Sequence, residues 1–155
     1  MCENHHADPQ NIFLCGFSRG GIAVNYIGLA DDEIAGLWRG FLSHDHYDGE
    51  LEWGGHPWGS PLLDYRKKAK TRLDRIKGRP VWISRNPDAE RIRRYIKESG
   101  ITGDFTVMDI DLPSIYPVVP NTLFSHYHTS NWLLEDNPYS RLAKEWLRSR
   151  IKKQP

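Results

Sequence analysis

Apolar and polar positions along this chain fall into short apolar runs separated by stretches with helical spacing. Asn11 to Cys15 (NIFLC) is a continuous apolar run that stops at Gly16 and predicts a buried strand. From Ser18 onward, Ile22, Ala23, Tyr26 and Ile27 recur on one helical face. Asp31, Asp32 and Glu33 then open a second short helix through Ile34 and Leu37, acidic where the first-turn dipole favours it. Leu37 to Ser43 predicts a second strand, followed by polar residues from His44 to Gly49 and a loop rich in Gly and Trp. Pro61 fits the first turn of a helix that carries Leu62, Leu63, Ala69, Leu73 and Ile76 and closes at Gly78. Val81 to Ser84 predicts a third strand. Asn86-Pro87 then provides an N-cap and first-turn pair for a helix with Ile92, Tyr95 and Ile96 inward, ending at Gly100. Phe105 to Leu112 predicts a fourth strand. After a Pro-containing loop from Pro113 to His128, Asn137-Pro138 starts a last helix with Leu142, Trp146, Leu147 and Ile151 at helical spacing.

Strands alternating with helices imply an α/β fold. The expectation is three layers, a mostly parallel sheet of about four strands flanked by helices, in one domain over residues 1–155. Composition agrees: 39% hydrophobic and 26% charged residues describe a globular chain, not a disordered one. Lys and Arg outnumber Asp and Glu by 21 to 20, so no nucleic-acid partner is predicted. The basic stretch from Arg66 to Arg79 is interleaved with Leu73 and Ile76 and reads as a solvated helix face. No apolar run approaches the roughly 18 residues of a membrane span. Met1 to Gln10 is polar and unlike a signal peptide, which makes a cytoplasmic location the default expectation. Cys2 and Cys15 are not expected to form a disulfide.

Gly16-Phe17-Ser18-Arg19-Gly20 is the segment that carries chemistry. A serine between glycines, just after a strand and just before a helix, sits on a sharp turn that pushes its hydroxyl into the open; the glycines keep side chains from colliding there. A serine hydroxyl is a poor nucleophile at neutral pH. It needs an imidazole to take its proton and a carboxylate to orient and charge-balance that imidazole.

Phe13 to Gly21 (FLCGFSRGG) resembles the nucleophile elbow of the α/β-hydrolase superfamily, in a GFSRG form similar to certain esterase-, phospholipase- and peptidase-like members. His128-Thr129-Ser130-Asn131-Trp132, between the fourth strand and the last helix, is similar to the catalytic-histidine loop of that superfamily. The resemblance implies a triad in the chain order serine, acid, histidine, with Ser18 as nucleophile. For the acid it implies Asp88, four residues past Ser84, while Asp45 and Asp48, one strand earlier, remain open; Asp88 equally suits a helix first turn. For the base it implies His128, with His126 as the alternative. The Arg19 amide would be one oxyanion donor; the family's second donor, from a loop after an earlier strand, has no counterpart here. By this resemblance the chain matches the C-terminal portion of the fold without its N-terminal strands. Its apolar first strand would then lie at an edge, where self-association or pairing with a missing N-terminal half is expected. The implied activity is cleavage of a small-molecule carboxylic ester, or of an amide or thioester, through an acyl-enzyme. No cofactor and no metal is implied.

Other readings stay open. His44-Asp45-His46-Tyr47-Asp48 has the H-x-H-x-D spacing of some metal-dependent hydrolases, through His44, His46 and Asp48, but Gly49 stands where that pattern continues with another histidine. Phe17, His44 and Trp53 are candidates to touch substrate; Trp53, His56 and Trp58 equally suit a loop packed by its own aromatics. A non-catalytic, hydrolase-like binding or assembly domain is the alternative to an enzyme.

Overall fold

In the computed structural model, which describes residues 7–51, 65–117 and 128–152, the apolar runs form one sheet. Its strands are β1 (Phe13–Phe17), β2 (Gly40–His44), β3 (Pro80–Arg85) and β4 (Asp104–Asp109), all parallel and ordered as they follow in the chain. β2 and β3 are buried almost throughout. Their runs are accordingly apolar at most positions rather than alternating, as a strand covered on both faces requires.

Among the described residues six α-helices flank the sheet: α1 (Arg19–Tyr26), α2 (Asp32–Gly36), α3 (Ala69–Leu73), α4 (Glu90–Ser99), α5 (Leu112–Ile115) and α6 (Pro138–Arg150). With strand order following chain order, crossovers of one hand all land on one face. The first core contains Val24, Ala35, Leu73 and Ile92 from α1 to α4 against Phe41, Val81 and Ile83. The second lies on the opposite face, where Leu112 of α5, Trp132, and Ala143 and Trp146 of α6 pack on Leu42 and Trp82. The three-layer α/β architecture follows.

Helix starts are set by local polar groups. Asp31 Oδ1 accepts from the Ile34 amide at 2.8 Å, and Asn137 and Ser140 form a reciprocal capping box at α6. Asn86-Pro87 does not cap α4. Asn86 Oδ1 accepts from the Leu112 amide at 3.2 Å, and α4 begins at Glu90, whose amide donates to Asp88 Oδ1 at 2.7 Å. Leu37 and Trp38 bond back to Ile34 and Ala35 and close α2, so β2 starts later than Leu37. Arg72 departs from the expected solvated face: it is buried, with a bidentate pair to Asp48 at 2.8 and 2.9 Å.

No described helix is long and apolar enough to cross a membrane. Among the described residues β1 pairs only with β2, so its other side is an open sheet edge where Cys15 is exposed.

Candidate active site at the carboxyl ends of the strands

The chain turns sharply where β1 meets α1. Ser18 has φ 56° and ψ −125°, a left-handed conformation that costs a non-glycine residue about 1–3 kcal/mol and persists only where the surroundings impose it. Its amide donates to the His44 carbonyl at 3.0 Å, and its carbonyl accepts from Gly21 at 2.8 Å. A Cβ on Gly16 would lie 2.1 Å from the Gly20 carbonyl oxygen, and one on Gly21 would lie 2.6 Å from the His46 carbonyl oxygen. A Cβ on Gly20 would meet nothing within 4 Å. Close packing at this turn therefore demands glycine at 16 and 21, whereas the sequence pattern points to 16 and 20. Arg19 opens α1, which puts its amide at the helix N-terminus immediately after Ser18.

The register explains which side chains reach Ser18. Phe17 pairs with His44 across β1 and β2, so the next residues, Ser18 and Asp45, emerge side by side. Asp45 also has a positive φ, 79°. Backbone strain at adjacent strand ends is a mark of functional sites. His128, which arrives from beyond β4, places Nε2 2.9 Å from Ser18 Oγ and 3.1 Å from Asp45 Oδ2. Its side chain is half exposed, and its ring packs on Phe17 at a centroid distance of 4.6 Å.

Both contacts fall on the same ring nitrogen. Placed so, Asp45 can balance the charge of an imidazolium, but it does not hold the imidazole in one tautomer, which requires the carboxylate on Nδ1. His46 lies beside Asp45, with Nε2 3.6 Å from Oδ2. Burial lowers the His46 pKa below the ordinary imidazole value.

The carboxylate at His128 is thus Asp45 and not Asp88. Asp88 is exposed and occupied with the start of α4, one strand further along the sheet. Strands are spaced about 4.8 Å apart, so an acid after β3 begins two strand widths from β1. Asp48 is also elsewhere: fully buried, with both oxygens on Arg72. His44, His46 and Asp48 accordingly do not make a ligand set. Among the described residues the group able to share one ion is Asp45, His46 and His128. His126 and Trp53 lie outside the described residues.

His44 braces the site from below. Its Nδ1 lies 3.0 Å from Ser84 Oγ on β3, and its Nε2 lies 3.1 Å from the Thr129 carbonyl, next to His128. The Trp132 indole N–H donates to the same Nε2 at 3.2 Å. Burial pushes the His44 imidazole down to about 4, against the upward pull of the adjacent Asp45 carboxylate. An unfolded imidazole titrates near 6.5, so between about pH 6.5 and 4 the unfolded chain binds a proton that the folded chain does not. Stability present above pH 6.5 is therefore lost as the pH falls through that window, by up to about 3 kcal/mol from this group. Urea titrations at pH 7 and pH 4.5 should show the loss, and His44→Asn should make it smaller.

Phe17 stacks on His44 at 5.6 Å and forms, with Cys15, Leu42, Trp132 and Leu133, a mostly apolar cavity of about 220 Å³. Its lining includes Phe17, whose ring packs on His128, together with His44 and Ser130. Two larger clefts, of about 520 and 490 Å³, are lined by none of these three. No protein-family model, curated protein or solved structure matches the chain.

Proposed function

We propose that the chain is a serine hydrolase of the α/β-hydrolase type that cleaves a small carboxylic ester through an acyl-enzyme. The observation that carries this reading is the 2.9 Å contact of His128 Nε2 with the hydroxyl of a serine held at a left-handed strand-to-helix turn. An ordinary helix-capping serine needs neither the strain nor the imidazole.

In the proposed reaction Ser18 Oγ attacks the carbonyl carbon while its proton passes to His128 Nε2. The imidazolium returns that proton to the leaving alkoxide, and water activated by the same imidazole releases the acid. The Arg19 amide, at the α1 N-terminus, is a donor for the oxyanion. Asp45 supplies the negative charge that stabilises the imidazolium. The working arrangement turns the half-exposed His128 ring so that Nε2 stays on Ser18 and Nδ1 faces Asp45. The cavity behind Phe17 is the proposed acyl pocket, and its apolar lining favours a short hydrocarbon acyl group. The open side of β1 is the proposed pairing edge, toward a second copy of the chain.

Replacing the two candidate acids tests the arrangement. Asp45→Asn keeps the shape, and its amide is at ease at positive φ, but it removes the charge. It is expected to lower the rate of p-nitrophenyl butyrate hydrolysis by a factor on the order of 10²–10³. Asp88→Asn still accepts the Glu90 amide and should leave the rate within about twofold. The opposite ranking would overturn the assignment of Asp45.

A further inference from the structure

The crowding of donors on one point beside Ser18 suits a second kind of chemistry. Asp45 Oδ2, His46 Nε2 and His128 Nε2 all face the same small volume. Oδ2 lies 3.1 Å from the His128 nitrogen and 3.6 Å from the His46 nitrogen, and the three ligand atoms lie within 4.8 Å of one another. Zinc binds imidazole nitrogen at about 2.0–2.1 Å and carboxylate oxygen at about 2.0–2.2 Å; at tetrahedral angles such donors stand roughly 3.3 Å apart. The two carboxylate–imidazole separations bracket that value.

The donor set also selects the metal. Two imidazoles and one carboxylate suit zinc-class transition ions, whereas magnesium prefers oxygen ligands and retains its water. Three protein ligands leave a fourth position open. Ser18 Oγ lies 2.9 Å from one of the three donors, His128 Nε2. The carboxylate and the His46 ring are mostly buried while His128 is half exposed, so an ion can reach the site from solvent.

We propose that Asp45, His46 and His128 form a binding site for a zinc-class divalent ion, and that its occupation switches off Ser18. The metal site stands on the geometry alone; the switch rests on the serine-hydrolase reading. The two uses exclude each other for an electronic reason. The Nε2 lone pair that would take the Ser18 proton is the one that would bind the metal. A bound ion also pairs with the Asp45 charge that stabilises the imidazolium. Metal binding displaces any proton on these nitrogens to solvent and makes or breaks no other bond.

Isothermal titration of the whole chain with zinc chloride, paired with labelling of Ser18 by a fluorophosphonate, tests both parts. One zinc should bind at the trio, and His46→Ala, Asp45→Asn and His128→Asn should each weaken it by more than about tenfold. Thermal melts establish that each variant folds. Zinc should protect Ser18 from labelling, chelator should restore the labelling, and magnesium should do neither. In His46→Ala the protection should shift to at least tenfold higher zinc. The chain has 7 histidines, and zinc held by the others would ignore these substitutions. Binding that is absent, or unchanged in all three variants, overturns the metal site. Binding at the trio with labelling unaffected overturns the switch. A chain that binds zinc through these residues but never labels, even in chelator, defeats the serine-hydrolase reading and the switch together and leaves the metal site standing.

Discussion

Ser18→Ala is expected to abolish the proposed ester hydrolysis, with a loss of at least about 10³-fold and on the order of 10⁶-fold if the full machinery assembles around it. Alanine keeps the Cβ and therefore the strained φ of 56°, so the turn, the glycine contacts beneath it and the cavity should all persist. What disappears is the single hydroxyl within hydrogen-bonding reach of His128 Nε2 among the described residues. His128→Ala should cost about as much, because a hydroxyl without a base to take its proton is a poor nucleophile. Groups that act as one unit are not additive, so the double substitution should be scarcely worse than either single one. Initial rates on an aryl ester at matched, folded protein concentrations measure this. Full activity in Ser18→Ala would mean that the hydrolysis belongs to another group. Ser18→Gly makes a companion: it should lose activity equally while raising stability by up to about 1 kcal/mol, since glycine adopts positive φ without strain.

Gly16→Ala should destabilise the chain by more than about 4 kcal/mol, the range in which a single substitution unfolds a small domain. The added methyl would lie 2.1 Å from the Gly20 carbonyl oxygen and 2.4 Å from its carbon. Both are backbone atoms of α1, so no rotamer change can relieve the clash. β1 and α1 would have to separate at the point where Ser18 is set. Gly20→Ala is the internal control. Its methyl would meet open space inside a helix, where alanine is favoured over glycine by about 1 kcal/mol, so it should be neutral or stabilising. Denaturation midpoints for the two variants decide the matter. A tolerated Gly16→Ala would mean that this turn is looser than its contacts require.

The fold was largely legible in the pattern of the chain because strands buried on both faces announce themselves as apolar runs. Val81 to Ser84 and the Asn137-Pro138 helix start lie where that pattern puts them. Element ends were less legible. Leu112 reads as a strand residue by its neighbours, yet it begins α5 because its amide finds Asn86 Oδ1. The sharp turn at Ser18 was legible because a strand-to-helix turn of this kind has a strict spacing. Which carboxylate stands beside His128 was not, because the choice between Asp45 and Asp88 turns on register, and register is a relation between two strands that neither strand carries alone. Once Phe17 is level with His44, Asp45 is beside Ser18 and Asp88 is not. The role of His44 was hidden for the same reason: its partners, Ser84, Thr129 and Trp132, are distant in the chain. Arg72, one cation in a basic stretch, gave no sign that it turns inward to Asp48.

The proposed hydrolysis depends on activation of Ser18 by His128. The most direct test is incubation of the purified, folded chain with a fluorophosphonate, followed by peptide mass spectrometry, in wild type and His128→Ala. One covalent adduct, on Ser18, is expected in wild type and is lost in His128→Ala. An unlabelled Ser18 in folded, metal-free protein, or labelling that survives the loss of His128, would contradict it.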